Sequence, residues 1–195
     1  MCIRDSYYML PERTAWTPMM NVVRATGKTL WSYNCANGYG RPIGWHTKTI
    51  NVVGEHRMAG VFAFHYGATG IGFWCYNHDG GQSMWEVSEA EFPLVYTDST
   101  GHNTACRRWE AVREGVDDAR ILFALREKLS DASVSSAAKA KIRHLLDVTL
   151  ADMANQSMTE AMNGAARYVL DATNNDESVA AFRRELLDCV AAVTE

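Results

Sequence analysis

The chain has 195 residues, 47% of them hydrophobic and 22% charged, with a formal net charge of −4. That is enough apolar material for a sizeable core, and a negative balance with no Lys/Arg run among the aromatics excludes a basic face for phosphates. Nucleic acid is not an expected partner, and since no stretch approaches about eighteen consecutive apolar residues, neither is a membrane.

Cys2, Cys35, Cys75, Cys106 and Cys189 are odd in number and widely scattered, with neither paired-disulfide nor C-x-x-C metal spacing. They read as small core residues or free thiols. The opening "MCIRDS" lacks the basic-then-apolar layout of a signal peptide and looks like a translated transposon-end sequencing adapter. Residues 1–6 are therefore set aside, and the cellular location stays open.

In chain order, "TPMMNVVRATG" carries a Thr cap, a first-turn Pro and a closing Gly27, which predicts a short helix. "KTLWSYNC" is a β-favouring run that ends in the turn-rich "ANGYGRP". "TINVVGEHRMAGVFAFHYGATG" places Val52, His56, Ala59, Ala63 and Tyr66 at helical spacing, and "IGFWCYN" is a second apolar strand ended by "HDGGQ". Strand, helix, strand predicts a parallel pair with a right-handed crossover. "FPLVYTD" is β-like and leads through "STGHN" into the long helix starting at Arg107. Beyond Asp131 the chain turns Ala-rich and helical: "SVSSAAKAKIRHLLDVTLADMA", with Ile142, Leu145, Leu146, Thr149 and Leu150 as its apolar stripe, then "SMTEAMNGAARYVLDAT" and "DESVAAFRRELLDCVAAV". Two parts result, residues 7–130 and a helical extension over 131–195.

In "RRWEAVREGVDDARILFALREKL" one predicted core face runs through Trp109, Val112, Val116, Ala119, Phe123 and Leu129, helped by Leu122 and Leu125. Glu110, Arg113, Glu114, Asp117 and Asp118 crowd the same turns as Gly115. Exposed pairs of this type contribute only about 0.3–0.5 kcal/mol, and a helix-interior glycine costs about 1 kcal/mol. The glycine therefore predicts that another backbone or a bulky ring passes close by.

These residues carry a family resemblance. "RRWEAVREGVDDARILFAL" is similar to the R-x-E-x-x-R-x-G-x-x-D-x-x-x-L signature that closes the catalytic domain of glycoside hydrolase family 123-like proteins, domain of unknown function 4091. "LWSYNC" resembles that family's Trp-x-Tyr strand, the Arg57-bearing helix running into "IGFWCYN" its Gly-x-x-x-Trp strand, and "FPLVYTD" its Leu-x-Tyr-Pro-Gly-like segment. Together they span Leu30 to Leu129.

The resemblance implies an α/β fold, the C-terminal portion of a (β/α)8 TIM-type barrel holding its last strands and helices, followed by the all-helical segment. In such barrels ligands meet the carboxyl ends of the strands. Those ends carry the expected substrate-binding residues Tyr33, Asn34, Trp74, Tyr76 and Asn77, an aromatic platform for the C–H face of a sugar. Trp31 and Trp74 either fill an interior or meet a ligand. Asn77, His78 and Asp79 with His102 match no metal motif, and neither metal nor cofactor is expected. Arg57 either grips substrate or forms an ion pair with Glu55 or a neighbouring loop. Glu110, Arg113 and Asp117 are expected to brace the closing helix against the barrel.

The expected partner is a carbohydrate, an N-acetylated hexosaminide. The family's characterised members are β-N-acetylgalactosaminidases in which the substrate's acetamido carbonyl attacks the anomeric carbon, one Asp orients it and an adjacent Glu acts as acid and base. The sole Asp-Glu dipeptide here, Asp176-Glu177, sits in "TNNDESV", where a helix cap accounts for it, so no catalytic residue is assigned. The alternatives are a non-catalytic carbohydrate-binding or structural barrel, and a self-contained helical interaction domain over Ala132 to Val193. Oligomeric state is not readable from the sequence.

Overall fold

A computed structural model describes residues 6–8, 25–27, 29, 31–35, 56–74, 76, 94–98, 100–154 and 176–194. Three short parallel strands form one open sheet in the order β1 (Ser6–Tyr8), β2 (Trp31–Cys35), β3 (Gly70–Trp74). The register pairs Tyr8 with Tyr33, Trp31 with Gly70 and Cys35 with Trp74. The parallel pair expected from the strand–helix–strand pattern is thus β2 and β3. β1 begins within the stretch set aside as adapter, where the sequence offered no element.

The remaining strands, β4 (Val95–Thr97) and β5 (Asn103–Ala105), form an antiparallel hairpin. Asp98 organises its turn: one carboxylate oxygen accepts from the Thr100 N–H at 2.8 Å, the Thr100 hydroxyl at 2.6 Å and the His102 N–H at 3.0 Å. Gly101 supplies the left-handed backbone with φ 83°. β5 was not foreseen because "NTA" is fully exposed and carries no apolar alternation. The structure is mixed α/β and mostly helical, and the described strands do not close a barrel.

Helix α1 (Met58–His65) enters from a π turn at His56 and Arg57, and every residue from Met58 to Phe64 is buried. It lacks a polar face because it is covered all round, in contact with both β3 and the next helix. That next helix is α2 (Arg107–Lys128), and its buried residues are Arg108, Ala111, Gly115, Asp118, Leu122 and Leu125. The expected face differs by one residue, roughly 100° of rotation. Trp109, Val112, Val116, Ala119 and Leu129 are only partly buried, and Phe123 is exposed.

The reason is a close crossing. A Cβ at Gly115 would overlap the Arg57 carbonyl oxygen and lie 2.8 Å from its carbon, and a Cβ at Gly60 would lie 2.7 Å from the Gly115 oxygen. Real Cβ contacts of that kind do not occur, so the two helices touch backbone to backbone where only glycine fits. The contact face of α2 is selected by this approach and by the charges beside it, neither of which a hydrophobic stripe reports.

Beyond it, α3 (Ser136–His144) starts at Ser135, whose hydroxyl accepts from the Ala138 N–H at 3.1 Å. It continues through a π turn (Leu145–Thr149) to residue 154, burying the foreseen Ile142, Leu145 and Leu150. The last described helix, α4 (Asp176–Thr194), buries Val179, Phe182, Leu186 and Cys189 at heptad-like spacing. These side chains form one cluster with Met58, Val61, Phe62 and Phe64 of α1 and Leu122 and Leu125 of α2. The described part of the helical extension therefore shares its core with the sheet-bearing part. The helices expected over 17–27 and over "SMTEAMNGAARYVLDAT" lie outside the described residues, apart from the turn at 25–27 that Gly27 closes at φ 67°. No described helix is long and apolar enough to cross a membrane.

Gly115→Ala adds a methyl group where no space exists. Although alanine favours helix by about 1 kcal/mol, the overlap outweighs it, and we expect a net loss of about 2–3 kcal/mol in urea denaturation followed by circular dichroism. Ala124→Gly, at an exposed α2 position, should cost about 1 kcal/mol. A stabilised Gly115→Ala protein would contradict the crossing.

Candidate functional site

β2 and β3 end level with one another, with Asn34 paired to Phe73 and Cys35 to Trp74. Asn34 and Trp74 thereby stand at the carboxyl ends of adjacent parallel strands, whereas Tyr33, expected there as well, lies mid-strand opposite Gly72. Two residues on, Tyr76 is 51% exposed, and its ring stands edge-on to Trp109 with centroids 5.8 Å apart and an interplanar angle of 84°. The Tyr76 carbonyl accepts from the Val95 N–H at 3.0 Å, and the Cys106 thiol donates to the Leu94 carbonyl at 3.0 Å. The strand end, the hairpin and the start of α2 thus meet in one place. Asn77, with His78 and Asp79, lies outside the described residues. Trp31 opens β2 at the opposite end of the sheet.

The geometry answers why acids crowd Gly115. Arg57 reaches Glu114 Oε2 through Nη1 at 2.7 Å and Asp118 Oδ2 through Nε at 3.0 Å. Asp118 is 1% exposed, and its other oxygen accepts from Arg183 Nη1 of α4 at 2.9 Å. Burial pushes the Asp118 carboxyl above its usual range, and the two guanidiniums pull against that. With an arginine on each oxygen the carboxylate is doubly compensated, so the ionised network is the form this site is built to hold. Arg57 is an ion-pairing residue, but its partners are Glu114 and Asp118 of α2 and not the Glu55 or neighbouring loop that was expected; Glu55 lies outside the described residues.

Among the described residues Glu110, Arg113 and Asp117 pair within α2 and brace it against no other element. They are about half exposed and pair along one helix: Arg113 with Glu110 at 2.9 Å and with Asp117 at 3.4 Å, and Arg120 with Asp117 at 3.3 Å. Bracing falls to Glu114 and Asp118. A signal was present, since the aspartate of the quoted signature stands three residues after its glycine, which here is Asp118.

His56 was legible only as a helix-face residue. It is 2% exposed, and burial, reinforced by the charge of nearby Arg108, lowers its pKa to about 3. Arg108 is itself buried at the start of α2. The imidazole is therefore neutral at physiological pH, a hydrogen-bonding group rather than a cation. Among the described residues no group of three or more His, Cys, Asp and Glu is placed to hold a metal ion.

No protein-family model, no curated protein and no solved structure matches the chain.

The His56 pKa is lower in the folded chain than the unfolded value of about 6.5, so the unfolded state binds more protons between the two. Its contribution to stability is fully present above pH 6.5 and is lost as pH falls toward about 3. His65, lowered in the same direction by burial, adds to that slope. We expect the urea midpoint to fall through this window and His56→Gln to remove much of the fall between pH 6 and 4; an unchanged slope would place the titration elsewhere.

Proposed function

We propose that this chain is the closing part of a carbohydrate-handling (β/α)8 barrel of the glycoside hydrolase family 123-like kind, and that it presents an aromatic sugar-binding wall at the carboxyl ends of β2 and β3. The observation that carries this reading is the level, parallel pairing of those two strands, with Trp74 terminating β3 and the half-exposed Tyr76 set against Trp109 just beyond. A pyranose has an apolar C–H face that stacks on such rings and hydroxyls that need polar partners, which Asn34 and Asn77 would supply.

Under this reading the substrate is an N-acetylated hexosaminide, and the reaction is the substrate-assisted one: the acetamido carbonyl attacks the anomeric carbon while an Asp orients it and an adjacent Glu protonates the leaving oxygen, later activating water. Asp176-Glu177 is not that pair. Asp176 opens α4 and Glu177 is exposed, on a helix whose buried face packs in the shared core. This chain therefore supplies binding surface, and the reacting carboxylates belong to another segment of the intact enzyme. A non-catalytic carbohydrate-binding or structural barrel is the second reading, and an upstream reading frame without adjacent carboxylates would favour it.

Titration of the chain with N-acetylgalactosamine, read by tryptophan fluorescence, should saturate in the millimolar range, about −4 kcal/mol. Tyr76→Ala should weaken binding at least about threefold, the loss of one aromatic contact. The chain alone should not hydrolyse 4-nitrophenyl N-acetyl-β-galactosaminide. Hydrolysis, or a sugar response indifferent to Tyr76 and Trp74, would overturn the proposal.

A further inference from the structure

A concavity lies at the other end of the sheet. It has a volume of about 330 Å³ and is walled by Trp31, Ala63, Phe64, Ala119, Arg120 and Phe123 around the start of β3. Compact ligand sites begin at about this size. We propose that this cleft binds a small flat organic acid, an aromatic or heteroaromatic carboxylate whose ring lies on Trp31 and whose carboxylate meets Arg120.

The ring wall is built into the strand pairing. Trp31 is the register partner of Gly70, and a Cβ at residue 70 would lie 2.7 Å from two carbons of the indole. Glycine is therefore what lets the indole rest across the neighbouring strand, where it stays 52% exposed. Phe64 and Phe123 pack edge to face at 4.8 Å and 89°, with Ala63, Ala68, Val116 and Ala119 completing a smooth apolar floor.

Chemistry narrows the ligand. Apart from the indole N–H, Thr69 and Arg120 are the polar side chains among the described lining residues. A pyranose would leave most of its hydroxyls desolvated and unpaired there, which disfavours it by more than the stacking returns. One flat apolar body with one anionic end fits. Arg120 is 76% exposed and, among the described residues, is held by Asp117 alone, at 3.3 Å, and Asp117 also serves Arg113. Such a surface pair yields readily to a competing carboxylate.

The local charge points the same way. Glu110, Arg113, Asp117 and Arg120 sum to zero, while Arg126 sits over the Phe64 and Phe123 rings at 4.8 and 4.9 Å. Among the described residues Arg126 makes no ion pair, so a positive charge is left beside the aromatic wall. This site is independent of the sugar-binding reading, because it lies at the amino ends of the strands and uses none of the same residues.

Calorimetric titration of the intact chain with 2-naphthoate and with the uncharged 2-naphthalenemethanol tests both halves. The acid should bind with a submillimolar Kd and the alcohol at least about threefold more weakly, the scale of one exposed charge contact. Trp31→Ala should weaken the acid about tenfold, and Arg120→Gln should bring it to the alcohol's affinity. N-acetylgalactosamine should not compete. Arg120→Gln, at a surface position, reads the charge contact even where Trp31→Ala fails to fold. No saturation by the acid up to millimolar concentrations, equal affinity of acid and alcohol, indifference to Arg120→Gln, or displacement by the sugar would each overturn the proposal.

Discussion

Two helices of this protein touch through their backbones, and most of the described structure follows from that contact. At Gly60 and Gly115 no side chain separates α1 from α2, so the carbonyl of Arg57 rests against the second helix. The mostly buried Arg57 side chain runs along α2 to Glu114 and Asp118. Burying a carboxylate such as Asp118 costs several kcal/mol unless its oxygens are paired, and a single arginine leaves one oxygen unanswered. Arg183 answers it from α4, which draws the last described helix onto the first two. The apolar cluster of Met58, Leu122, Phe182 and Leu186 fills in beneath.

The same contact sets which way α2 is turned. Because the glycine face is turned inward, Trp109, Val116 and Ala119 are only partly buried and Phe123 is exposed. Trp109 meets Tyr76 beyond the strand's carboxyl end, while Val116, Ala119 and Phe123 border the cleft at Gly70 and Ile71. The fourteen steps from Trp109 to Phe123 rise roughly 21 Å and the five residues of β3 extend roughly 16 Å, so one helix face is long enough to reach both ends of the strand. Exposed aromatic side chains thus stand near each end of β3, Tyr76 beyond its carboxyl end and Trp31 and Phe123 about its amino end, where Arg126 adds a cation.

Much of this was written plainly in the residues. The parallel pairing of "WSYNC" with "GIGFW", the long helix from Arg107, the Ile142–Leu150 stripe and the close neighbour at Gly115 all follow from spacing and from the cost of an unneeded glycine. The inward face of α2 did not. Its buried positions include an arginine, a glycine and an aspartate, which hydrophobic periodicity scores as surface, and their partners Arg57 and Arg183 lie 61 and 65 residues from Asp118. The signature's aspartate marks Asp118 as special, but no local pattern names partners so far along the chain. β5 escaped for a different reason: it is a short edge of exposed residues whose pairing is dictated by the Asp98 turn rather than by burial.

The dependence of the helical core on the buried carboxylate is most directly tested by native-state hydrogen exchange on the intact chain and on Asp118→Ala. The account predicts that amides of α1, the inner face of α2 and α4 open together in the native chain, and that all three lose protection by a common amount, about 3–5 kcal/mol, when the carboxylate is removed. Protection of α4 that survives while that of α1 collapses would show two independent cores and contradict it.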